Sequence, residues 1–191
     1  MKKGWIVIIV ILIILGFWGC NSYNGLQKAN LNVNNVWGTV QTNYQRRSDM
    51  YQNIVQTIKG SAKFEDSTLI GVVQARANAT KIQVNIDDSA SLAQYQKAQA
   101  DLQSSFSKLL AVSEAYPDLK TTAAFQDFQA QIEGTENRIN VARKDYNQAV
   151  TDYNQKVQLF PGNIMAGIFG FHPKAVFQAD AGADKAPNIQ F

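Results

Sequence analysis

The chain has 191 residues, with 18 Lys and Arg against 15 Asp and Glu, one cysteine and one histidine. That length allows one domain with a real core, and the charges are scattered rather than run together, so the electrostatic footprint of a nucleic-acid binder is missing. Cys20 and His172 cannot make an internal disulfide or a four-ligand structural zinc site, and they leave most nucleophile–base pairs without parts, so neither enzymatic activity nor a cofactor is expected.

Residues 4–20 read GWIVIIVILIILGFWGC without a charge. At 1.5 Å per residue this run spans ~26 Å, slightly less than a bilayer core of about 30 Å. Trp5 and Trp18 flank it as the two aromatic belts of a spanning helix. A cleaved secretory signal has a shorter apolar region and small residues before its cut site, whereas Phe17 and Trp18 precede Gly19 here. Trp18 likewise fits poorly two positions before a lipidated cysteine, so Cys20 reads as a free thiol at the interface. Lys2, Lys3 and the N-terminal amine lie on one side and Lys28 is the first basic residue on the other. The excess of positive charge places the N-terminus in the cytoplasm and the remaining chain on the other side of the membrane.

Beyond Cys20 the apolar spacing alternates between three and four. Val33, Trp37, Val40, Tyr44, Arg47, Tyr51, Ile54 and Ile58 form one helical stripe, stopped by Gly60. A shorter helix is predicted from Glu65 to about Val84, with Leu69, Val72, Val73 and Arg76 in its early part. The segment NIDDSAS (85–91) is turn-like and supplies caps for a third helix from Leu92 to Tyr116, ended by Pro117. A fourth runs from a Thr121 or Thr122 cap to Phe160, with Phe125, Ile132, Ile139, Tyr146, Tyr153 and Phe160 at intervals of seven. Its companion seam is Phe128, Thr135, Ala142, Ala149 and Lys156, mostly small residues that let a neighbouring helix approach. The expected fold is all-α: an N-terminal transmembrane anchor (1–22), a long antiparallel four-helix bundle with coiled-coil character (23–160), and an apolar segment with a loosely held tail (161–191). Within that last part, Ile164, Met165, Ile168, Phe169 and Phe171 form a possible interaction segment.

The segments YNGLQ, QRRSDMYQNIVQTIKG, VVQARANA, LLAVSEAYPDLK, FQDFQAQIEGTENRINVARKDYNQAVTDYN and FPGNI follow one another from Tyr23 towards Phe171. In this order they resemble the LemA family of bacterial membrane proteins. The resemblance implies an N-terminal anchor and a helical bundle, and it carries no catalytic motif. The chain departs from the family pattern at Tyr51-Gln52, where Ile-Pro-Asn is common, so the first bundle helix can run without a proline kink; Cys20 is also unusual.

Arg47 lies on an otherwise apolar seam, while Arg46 lies off it. A buried charge needs a partner. If the first and fourth helices are antiparallel and Asn24 faces Leu159, residue 47 faces residue 136. Glu136 is therefore the expected partner of Arg47 in a structural ion pair, with Glu133 second. Glu65, Glu114, Glu133 and Glu136 do not suggest a di-metal bundle, because that site class uses Glu-x-x-His pairs and the only histidine lies outside the helices. The tyrosines of the YNQAVTDYNQ repeat read as core. The expected function is that of a scaffold or interaction protein of the cell envelope. The alternative is a module that senses a ligand or lipid. Expected partners are membrane lipids through the first helix and further copies of the chain or other envelope proteins, without nucleic acid.

Overall fold

The computed structural model describes residues 2–59, 66–116 and 122–179. Gly60, Glu65, Pro117, Thr121 and the tail from residue 180 lie outside the described residues. Five helices follow one another, and no strand occurs among the described residues: α1 (Lys2–Lys59), α2 (Asp66–Lys81), α3 (Ser89–Ser113), α4 (Ala123–Gln158) and α5 (Gly162–Phe169).

The apolar run and the first bundle helix are one uninterrupted element. α1 has 58 residues, ~87 Å at the standard rise. The first proline of the chain is Pro117, so nothing in α1 removes a ladder donor or forces a kink. Residues 4–18 are exposed along their whole length. From Leu26 onward α1 turns one face inward, and every residue of the stripe from Val33 to Ile58, Arg47 included, is buried.

Ring and side-chain contacts set the directions of the other helices. On α3, Tyr95 meets Trp37 and Tyr44, and Phe106 stacks on Tyr51, so α3 runs parallel to α1. On α4, Phe128 packs on Phe106 and Tyr146 on Trp37, so α4 is antiparallel to α1. Arg76 of α2 donates to Ser48, and Val72 lies beside Val55, so α2 returns antiparallel as well. The result is an up-down-up-down bundle. Asp88 caps α3 by accepting from the amides of Ala90 and Ser91, and Thr122 caps α4 by accepting from Phe125.

The α4 seam departs from strict heptads at its far end. Phe125, Ile139, Tyr146 and Tyr153 are buried, but Phe160 is 79% exposed, and Lys156 is exposed while Val150 and Val157 are buried. A straight helix drifts ~20° per heptad from a seven-residue repeat, which moves the buried stripe from the Lys156 position onto Val157, while Phe160 lies beyond the end of α4.

α2 is short, and its buried Leu69, Val72 and Ala79 contribute only to the core half at the far end of α1. The other half is completed by the 82–88 connection and by residues 171–179, an extended strap after α5. The loosely held tail expected within 161–191 is instead docked as far as residue 179. Phe177 is buried against Trp37 and Tyr146, and the strap backbone is gripped by α4. Asn147 donates to the Phe177 carbonyl (3.1 Å) and accepts from its amide (2.8 Å); Asn154 does the same with Lys174 (2.9 and 2.8 Å). Tyr146 and Tyr153 donate to the carbonyls of Ala175 and His172. Lys174 pairs with Asp87, and its own chain neighbour Ala175 bonds the Ile86 carbonyl.

Two glycines shape the entry and exit of α5. A Cβ on Gly162 would collide with the backbone carbonyl of Lys156, so the chain can fold back against the last turn of α4 only with glycine there. Gly170 ends α5 at φ 71°, a left-handed cap that a side chain would strain.

Candidate functional site

A polar layer crosses the bundle between the two halves of its core. Tyr44, Tyr95 and Ile139 belong to the half nearer the apolar run of α1, and Met50, Leu102 and Phe128 to the far half. Between them lie Arg47 and Ser48 of α1, Gln99 of α3, and Thr135 and Glu136 of α4, of which all but Glu136 are buried. Arg47 is 2% exposed. Its Nη1 donates to Glu136 Oε1 at 3.1 Å, and its Nη2 donates to Gln99 Oε1 at 2.7 Å and to the Gln99 carbonyl at 3.1 Å. The guanidinium also lies 4.9 Å from the Tyr44 ring centre and 5.9 Å from that of Tyr51, within reach of cation–π attraction. Arg47 Nε is the one buried side-chain nitrogen or oxygen among the described residues that lacks a partner.

Glu136 keeps a quarter of its side chain in solvent, and Glu133, one turn away, is exposed and outside this network. Gln99 was missed from the sequence, although it stands four residues after Tyr95 and three before Leu102 on the apolar stripe of α3. Burial pushes the Tyr51 phenol above its ordinary value; Arg47 opposes the rise, while the charge of Glu136 and a hydrogen bond to it add to it. Tyr95 is raised as well, mainly by burial. The layer is thus an ion pair with two burial-raised phenols, Tyr51 and Tyr95, beside it.

The second assembly is at the other end of the bundle. Trp5 and Trp18 lie on the exposed run of α1, 70% and 37% exposed. α5 docks beside the end of that run. Met165 and Ala166 are buried, the Met165 methyl lies 3.4 Å from where a Gly19 Cβ would stand, and Tyr23 meets Phe169 and Phe171 at ring separations of 4.8 and 5.8 Å. Ile164, Ile168 and Phe169 remain exposed, so the segment is divided between a docked side and an open one. Cys20 is an exposed free thiol at the same level.

A helical bundle hung on a helix long and apolar enough to cross a membrane defines the class as a membrane-associated all-helical protein. The model of the LemA family matches residues 36–191, from within α1 to the end, and the chain belongs to that family. It is 28% identical over 156 residues to protein LemA of Metamycoplasma hominis, covering 82% of this chain and 68% of that relative. It is also 32% identical over 77 residues to the magnetosome proteins MamQ 1 and MamQ 2 of Paramagnetospirillum magneticum, covering 40% of this chain and 28% of each of them.

Proposed function

We propose that the chain is a non-catalytic scaffold of the bacterial cell envelope, anchored in the inner membrane by α1 and holding its bundle outside the cytoplasm for partners or further copies of itself. The observation that carries this reading is the continuity of α1, which joins the apolar run to the bundle core without a break. A shared helix transmits position and orientation rigidly, which suits a post rather than a tethered, freely tumbling domain. The interior charge layer supports it too, since Arg47 is 2% exposed and its two terminal nitrogens are bonded to Glu136 and Gln99. Crosslinking in native membranes followed by identification of the captured proteins tests the reading. Enriched envelope partners or self-adducts are expected, and a strictly monomeric chain with no enriched partner counts against it.

A ligand- or lipid-sensing module is the second reading. It is favoured by a cleft of about 700 Å³ between α1 and the end of α4, lined by Trp18, Gly25, Lys156 and Phe160. Lipid retained through purification and lost in Gly25→Trp would support it.

A further inference from the structure

We infer that α5 is a second membrane contact, a short helix that lies in the headgroup–acyl boundary of the bilayer crossed by α1. The inference rests on the proposed anchoring of α1. It adds that the folded domain itself enters the interface through the outer face of α5 and the α4–α5 corner.

Depth is the first argument. α5 is fastened to α1 at Gly19 and Tyr23, immediately after the apolar run ends. Because α1 is continuous there, α5 cannot change depth independently. Residues 19–23 cover ~6 Å along the axis, comparable with the ~5–8 Å interfacial layer on each side of a bilayer core. Trp18, just below, is the residue type that prefers that layer.

Composition is the second. α5 reads GNIMAGIF and carries no charge. Its inner face, Met165 and Ala166, is satisfied by the bundle, yet Ile164 and Ile168, four apart on the opposite side, point away from it. Leu159 and Phe160 at the preceding corner are exposed as well, Phe160 at 79%. A helix apolar on both faces is stable when both are covered. Here the protein covers one, and the open face stands beside the end of the apolar run of α1, where α5 docks at Gly19 and Tyr23. Exposed apolar area of this kind marks an interaction site, and its position at the end of the spanning run selects lipid as the occupant. The short ~26 Å span gains from it, since an apolar collar at one end reduces the mismatch with a bilayer core of about 30 Å.

The test uses the full chain with Cys20→Ser, reconstituted into phosphatidylcholine–phosphatidylglycerol vesicles. Single cysteines replace Ile11, Ile168 or Asn53 and carry an environment-sensitive fluorophore. The Ile168 probe is expected to shift to the blue and to lose most of its emission to lipids bearing a nitroxide near the headgroup. The Ile11 probe answers to nitroxides deeper in the chains, and the Asn53 probe only to aqueous iodide. An Ile168 probe that behaves like Asn53 while Ile11 stays lipid-quenched overturns the inference and leaves the anchor intact. Iodide access at Ile11 overturns the anchor itself. An Ile168 probe shielded from both quenchers means that another protein surface, such as a second copy, covers α5, and this too overturns the inference.

Discussion

Arg47 and Glu136 hold unequal positions in their ion pair, and that inequality orders the effects of replacing them. Arg47 is almost wholly buried, whereas Glu136 keeps a quarter of its side chain in water. Glu136→Leu strands a guanidinium whose remaining partner is the neutral Gln99, and breaking a buried pair in this way costs about 3–5 kcal/mol. Arg47→Met lets Glu136 turn to solvent and leaves Gln99 Oε1 without its donor, for a smaller loss of about 1–3 kcal/mol. The double change should recover part of the Glu136→Leu loss, and Arg46→Met, on the exposed side, should leave the unfolding midpoint nearly where it was. Urea denaturation of the four variants measures this order; an Arg46 variant as damaged as the others would contradict it. The pair was legible because charge on an apolar stripe needs a partner and an antiparallel count of α1 against α4 lands on residue 136. Gln99 lies on the α3 stripe between Tyr95 and Leu102, so its burial was legible; its bond to Arg47 was not, because that depends on how α3 is set against α1.

At the scale of elements, the two Asn residues of the YNQAVTDYNQ repeat act as independent clamps on the strap. Each makes a donor–acceptor pair with one strap residue, so each replacement by alanine removes two hydrogen bonds, about 1–3 kcal/mol together. Hydrogen exchange separates them. Asn147→Ala should expose the Phe177 amide and leave that of Lys174 protected, and Asn154→Ala should do the reverse. Loss of both in either variant would mean that the strap is released as one unit. The strap also makes truncation from Ile164 a poor test of assembly through α5, since it removes Phe177 from the core along with the exposed apolar residues; Ile164→Ser with Ile168→Ser is the cleaner change. The four bundle helices were legible from spacing and caps, with ends displaced by a few residues, α2 stopping at Lys81 rather than near Val84 and α3 beginning at Ser89, whereas α5 was read only as an apolar segment. Two features escaped. The strap has no periodicity, and its order comes from side chains far away in sequence reading its backbone. The union of anchor and bundle in α1 was hidden by the change from an all-round apolar pattern to a one-faced one, which marks a change of surroundings and not of backbone.

Across the whole molecule, buried tyrosines in both core halves tie stability to high pH. Tyr51, Tyr95, Tyr146 and Tyr153 are all raised, each chiefly by burial. A raised folded-state value means that the unfolded chain ionises first. The contribution of these phenols is therefore whole below their unfolded value near 10 and is lost as pH climbs past it. Tyrosinate absorbance and helical circular dichroism should then change together above about pH 10; tyrosinate forming while the helix signal stays level would show that these rings ionise in the folded state. Orientation is the remaining property of the whole chain, and it follows from charges at the two ends of the apolar run. Lys2 and Lys3 precede it, and Lys28 is the first basic residue after it. Basic residues close to a span are retained on the cytoplasmic side, so the bundle is expected on the other. Because α1 is continuous, any exposed residue on its bundle portion reports the side for the whole domain. In a Cys20→Ser chain, a cysteine at Asn53 should react with a membrane-impermeant maleimide in intact cells or spheroplasts as fully as after lysis. Protection before lysis, with full labelling afterwards, would place the bundle in the cytoplasm. Adding two lysines just after the span, at Asn21 and Ser22, should then weaken or reverse the labelling if the charge difference alone sets the orientation.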